Sequence, residues 1–317
     1  MNLLSAQNNS VPTRYREVVL ISFLLLALAA VVNAQQMADP EFNTSVENPE
    51  YSKNGPRVMF DEAHHNFHTT DGRYKPFVDL VTNDGYRVVR NRQSFSKTTL
   101  ASFKMLVIAN ALGAEEDDDD GADKSAFTDE EIQAVQDWVK GGGALLLIAD
   151  HAPFGGAAQS LASRFGVEMS KGYTFDPQHS VAGAPTQLIF SRENKLLASH
   201  PITEGRSESE RLKLVRSFTG QSLKGPEGSA AILMLSDNAI DRPTFASQES
   251  VPAAGRAQAV ALKFGKGRVL VQGEAAMLSA QVSGPDKRTM GMNVPGNDDR
   301  QYVLNVMHWL SGVLREK

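Results

Sequence analysis

Apolar residues in this chain fall into short, nearly unbroken runs separated by amphipathic stretches. RVMF (57–60), YRVVR (86–90), MLVIANA (105–111) and LLLIAD (145–150) read as strands, being too short for helices. Their lack of polar alternation suits strands covered on both faces, which predicts a parallel sheet. Between them, YKPFVDLVTNDG (74–85) predicts an amphipathic helix stopped by Gly85. FTDEEIQAVQDWVKGGG predicts another, with Thr128 and Glu131 at capping-box spacing, an apolar face of Ile132, Val135 and Val139, and Gly141 as a left-handed stop. AAQSLASRFG (157–166) follows as a short helix.

The pattern changes in the second half. TQLIF (186–190), LKLVRSF (212–218) and AAILML (230–235) are separated by polar loops, and AQAVALKF and RVLVQGE flank Gly265-Lys266-Gly267 as a hairpin. DDRQYVLNVMHWLSGVL closes the chain as a helix with Val303, Val306, Met307, Leu310 and Val313 on one stripe. The expectation is one α/β domain over residues 56–317, a mostly parallel sheet with helices on both faces and an antiparallel C-terminal extension.

The N-terminus does not belong to that pattern. Arg14 and Arg16 precede the apolar run VVLISFLLLALAAVV, and Val32 and Ala34 are the small residues a signal peptidase needs. Residues 1–34 therefore read as a signal peptide, with an uncleaved anchor as the alternative, and the protein as exported, either periplasmic or secreted. No other segment suggests a membrane. Residues 35–55 show no apolar periodicity and read as a flexible tether.

At 317 residues, 41% hydrophobic and 22% charged, the chain is long enough to bury a sizeable core, and disorder along its whole length is excluded. It contains no cysteine, which excludes disulfides, thiolate metal ligands and a cysteine nucleophile. A net charge of −5 offers nothing to nucleic acid.

The candidate chemistry lies in two stretches, FDEAHHNFH (60–68) and IADHAPFGG (148–156). Both follow predicted parallel strands, so both should emerge at the carboxyl edge of the sheet, where ligands bind in open α/β folds. Asp61, Glu62, His64, Asn66 and His68 are thus expected to share a pocket with Asp150, His151 and Phe154. Glu274, which follows RVLVQG, would reach the same crevice. The blander alternative is that Asp61 and Asp150 cap neighbouring turns and that the backbone satisfies some histidines.

Several motif readings fail. DEAH (61–64) lacks the phosphate-binding GxxxxGK[ST] that a nucleotide hydrolase needs. His64 and His68 have the spacing of a metalloprotease helix, but His65 stands where that motif needs glutamate. The acidic run EEDDDDGADK (115–124) puts Phe127 where a calcium loop needs its bidentate glutamate. A divalent metal held by one or two of the histidines with Asp150, His151 or Glu274 remains an open alternative, and the sequence names no other cofactor. His179 and His308 read as solvated, and His200 in HPITEG as a local loop contact.

The segment WVKGGGALLLIADH, the stretch HPITEG (200–205) and the ending GRVLVQGEAAMLSAQ…GNDDRQYVLNVMHWL resemble the class I glutamine amidotransferase-like superfamily over about residues 57–315. Within it the chain is most similar to branches without amidotransferase activity, the ThuA-like proteins and an exported family of unknown function. The resemblance implies a flavodoxin-like, amidotransferase-like sheet and a pocket for a small polar, sugar-derived ligand. Amidotransferases carry a cysteine on the turn that Asp150-His151 occupies here, so glutamine hydrolysis by thiolate is ruled out. The resulting expectation is a hydrolase or lyase in which His151 is general acid or base, oriented by Asp150, Glu62 or Glu274, while His64 and His68 bind substrate or a metal. A non-catalytic ligand-binding or envelope-assembly module on the same fold is the alternative.

Overall fold

A computed structural model describes residues 36–52 and 54–315, so the expected signal peptide and its cleavage point lie outside the described residues. The first described strand is β1 (Met37–Ala38). Then come β2 (Arg57–Asp61), α1 (Lys75–Asn83), β3 (Arg87–Asn91), β4 (Met105–Ala109), α2 (Asp129–Lys140), β5 (Ala144–Ile148) and α3 (Phe154–Ser163). Each matches an expected run, although α3 begins three residues early and so places Phe154 at its start.

β3, β2, β4 and β5 lie side by side in parallel register. The sheet continues through the hairpin: β10 (Gly267–Gln272) runs parallel to β5, and β9 (Ala257–Phe264) is antiparallel to β10. β9 also pairs with β8 (Ala230–Met234) and with β7 (Leu223–Lys224), beyond which lies β6 (Glu168–Met169). The fold is therefore α/β, a mostly parallel sheet with an antiparallel side.

Successive residues of one strand enter different cores, as a pleated strand requires. Val58 and Phe60 pack with Phe77, Leu80 and Val81 of α1 and with the last helix, α4 (Asp299–Ser311). Met59 joins the core on the other face, with Ile132, Val135 and Val139 of α2 and Leu161 of α3. Helices thus cover both faces, which is why the strands read as unbroken apolar runs.

The capping box of α2 forms as expected. Thr128 Oγ1 accepts from the Glu131 amide, and Glu131 Oε2 accepts from the Thr128 amide. Its stop differs from expectation: Gly141 keeps a right-handed φ of −76°, and Gly142 takes the positive value of 119°. The three glycines have separate reasons, since a Cβ on Gly143 would sit 2.4 Å from the Trp138 ring.

The described residues between 36 and 52 pack on the domain and do not form a tether. β1 pairs with β11 (Ala280–Ser283), which in turn pairs with β12 (Arg288–Gly291). Phe42 and Val46 pack on the core, Tyr51 meets Tyr86 edge-on at 5.1 Å, and the Glu50 amide donates to Asp84 Oδ1. The apolar residues that anchor this strap have irregular spacing, so no periodicity announced them. His308 is likewise not solvated: it is buried in α4, with Nε2 2.7 Å from Asp84 Oδ2. His200 does act locally, its Nδ1 accepting from the Ile202 amide.

Candidate functional site

The carboxyl ends of β2, β4, β5 and β10 meet around a cavity of about 450 Å³. His68, Asp150, His151, Phe154 and Glu274 line it, as the sequence led us to expect. Asp61, Glu62, His64 and Asn66 do not, so the stretch FDEAHHNFH divides.

Its first part is a structural knot. His64 Nδ1 lies 2.8 Å from Asp61 Oδ2 and its Nε2 lies 2.9 Å from Glu131 Oε1, so both ring nitrogens are occupied. Asn66 Nδ2 donates to the same Asp61 oxygen, and Asn66 Oδ1 accepts from the His64 amide. Phe95 and Phe127 pack against the imidazole at 4.6 and 4.8 Å. Burial disfavours charge on His64, but the Asp61 and Glu131 carboxylates outweigh it and hold the ring above its ordinary pKa. A ring bonded at both nitrogens has nothing left for substrate or metal. Glu62 is also engaged elsewhere: one oxygen accepts from the amide and hydroxyl of Thr70, and the other faces Arg90 and Arg92. It is therefore no partner for His151.

The second part turns inward. The Phe67 amide donates to the Asn110 carbonyl, which ties this loop to the end of β4, and the Phe67 ring lies 5.4 Å from Phe154. His68 is buried and stacks on Tyr74 at 4.6 Å, with its Nδ1 lacking any partner. Burial, helped by the Arg73 charge, pushes its pKa down to about 3, so the ring is neutral.

The turn after β5 is held from two sides. Asn110 Oδ1 accepts from the Asp150 amide, and Gln221 Nε2 donates to the carbonyls of Ala149 and Asp150. Gly155 is what lets α3 approach that glutamine, since a Cβ there would lie 2.4 Å from its amide. His151 stacks on Tyr173 at 4.5 Å, and its Nδ1 is 2.7 Å from the Ala152 carbonyl. A carbonyl only accepts, so Nδ1 carries the proton and Nε2 the lone pair. The group that orients His151 is thus backbone, not one of the carboxylates expected for it. Burial lowers its pKa, against the opposing pull of that carbonyl.

Glu274 is fixed by the amides of Ala276 and Met277, at 2.8 and 2.9 Å. Burial pushes Asp150 up to about 7, against a hydrogen bond from the His151 amide. Glu274 is raised well above its usual range, first by burial and then by the charge of Asp150. Two buried carboxyls influencing each other without a paired cation do not both ionise, so the pair keeps a proton near neutrality. Among the described residues, no group of three or more histidines, aspartates and glutamates is arranged to hold a metal ion.

Several further residues line the cavity. Asn110, Arg73, Tyr173, Phe218, Phe245 and Gln281 all face the cavity. Asn110 ends an expected strand, so the strand-edge argument could have found it. Nothing local marks Gln281 or Phe245, which come from stretches distant in sequence from the two candidate loops.

Neither a protein-family model nor a curated protein matches the chain. Among solved structures, the mmIFT52 N-terminal domain is similar at a TM-score of 0.58 and 13% identity, over 81% of this chain and 97% of that one. A ThuA-like protein from Bacteroides uniformis ATCC 8492 gives a TM-score of 0.43 at 10% identity, covering 86% of this chain and 95% of that one. A GMP synthase-type protein from Thermoplasma acidophilum gives 0.41 at 10% identity, covering 82% and 96%. The first likeness concerns the fold alone, and the other two are too distant to bear on this chain.

Proposed function

We propose that the cavity binds a small polar, sugar-derived molecule outside the cytoplasm and acts on it by acid–base catalysis, as a hydrolase or lyase. One observation carries this reading. Two buried carboxyls and two imidazoles with lowered pKa surround a single cavity, in whose wall His68 Nδ1, Asn110 Nδ2 and both polar atoms of Gln281 lack partners. A fold gains nothing from such a set, because each buried polar atom without a partner costs about 1–3 kcal/mol. A polar ligand offsets that cost.

His151 Nε2, with its lone pair, takes a proton from substrate or water. Asp150 and Glu274 hold a proton near neutrality and deliver it to the leaving group. Phe67, Phe154 and Tyr173 supply apolar walls of the kind that pack against sugar rings, and the export expected from residues 1–34 gives the location.

Turnover on a panel of chromogenic glycosides and sugar lactones tests this. Replacing His151→Gln or Asp150→Asn should reduce turnover by about 10²–10⁴-fold. Saturable binding without turnover on any member would instead favour a binding module, and turnover unaffected by both substitutions would end the assignment.

A further inference from the structure

We infer that Gln281 selects the ligand, its carboxamide taking a group that presents a hydrogen-bond donor and an acceptor side by side on a molecule without negative charge. This rests on the cavity being the ligand site, as proposed above. Both Nε2 and Oε1 of Gln281 are buried without a partner, the residue is 1% exposed, and it lines the cavity.

Its backbone is fixed on both sides. Gln281 sits in β11 opposite Ala38 of β1 and Met290 of β12, and its carbonyl accepts from Asn293 Nδ2 at 2.9 Å. A residue rooted in the middle strand of a small sheet has its backbone placed before the ligand arrives. Other glutamines nearby are occupied. Gln36 Nε2 contacts Met290 Sδ in the same wall, and Gln221 uses its oxygen on the Lys171 amide and its nitrogen on two carbonyls. Gln258 is also buried and lacks partners for both atoms, but it does not line the cavity and serves as the control.

A carboxamide offers one N–H edge and one carbonyl edge in a plane. Its complement is a neutral group with the same two functions adjacent, either a vicinal hydroxyl pair on a polyol ring or a primary carboxamide. A carboxylate only accepts, so it would leave Oε1 unmatched. It would also face Asp117, Asp150 and Glu274 against a single lining cation, Arg73, whose Nε is committed to the Gln36 carbonyl. A site built to pair donor with acceptor rejects the mismatched analogue.

Saturation-transfer NMR on the folded protein with four probes tests this: methyl glucoside, benzamide, and their carboxylate counterparts methyl glucuronide and benzoate. One neutral probe should bind at least about tenfold more tightly than its carboxylate. That binding should vanish in Gln281→Met and persist in Gln258→Met. The neutral probe that binds distinguishes polyol from carboxamide. The urea midpoint of Gln281→Met should equal or exceed that of the wild type, since methionine removes unpartnered polar atoms at similar volume.

A clear fall in that midpoint would reveal a structural partner for Gln281 and overturn the inference. So would binding retained in Gln281→Met, carboxylates bound as tightly as their neutral counterparts, or no binding by any of the four. Carboxylate binding that Asp150→Asn abolishes would keep the cavity as the ligand site while ending the role of Gln281.

Discussion

His64 and His68 stand four residues apart in one loop, both buried, and they answer to opposite rules. His64 has carboxylates on both ring nitrogens and is stabilised as a cation. His68 has an aromatic ring on its face, an unpartnered Nδ1, and an environment that keeps it neutral. Residue type and spacing do not separate structural from functional histidines here. The fate of each polar atom does: a saturated network stabilises the fold, whereas an unsaturated one facing a cavity implies something that completes it.

The contrast is broken most severely by removing the centre of the saturated network. His64→Leu leaves Asp61 and Glu131 buried without their cation and should cost about 3–5 kcal/mol in urea unfolding. A loss below about 1 kcal/mol would show that the network is not the lock described. Glu131→Gln keeps the side chain's shape but removes the charge facing His64, and should cost about 1–2 kcal/mol. By comparison, His68→Leu should cost less than about 1 kcal/mol, because it deletes a buried nitrogen that has no partner. A loss as large as that of His64→Leu would make His68 a structural residue and weaken the case for the cavity.

The two histidines should also give opposite pH signatures. The folded pKa of His64 lies above its unfolded value, so its contribution is complete below about 6.5 and fades as pH rises through the folded value. The stability gap between wild type and His64→Leu should therefore narrow on going alkaline. His68 falls from 6.5 to about 3 on folding, so wild type should lose stability relative to His68→Leu as pH drops from 6.5 towards 3. Unfolding curves of the three proteins between pH 4 and 9, a range of about five units, read both slopes. Parallel pH profiles would erase the distinction.

The comparison also shows what was legible in the sequence. Strands β2 to β5 and the capped helix α2 were readable because local pattern and tertiary environment agree there. Strand-edge topology then found His68, Asp150, His151, Phe154 and Glu274. It failed for Asp61, Glu62, His64 and Asn66, because what they do depends on Glu131, Arg90 and Phe95, which come from other elements. The packing of Phe42, Val46 and Tyr51 on the core and the arrival of Gln281 in the cavity wall are tertiary facts of the same kind.

The division of the loop is tested most directly by following the imidazole ¹⁵N shifts of His64, His68 and His151 in one sample across pH 4–9. His64 should remain doubly protonated above pH 6.5, His68 should stay neutral down to about pH 4, and His151 should be a neutral Nδ1–H tautomer titrating below 6.5. A neutral His64 at pH 6, or a His68 that titrates near 6.5, would contradict that division.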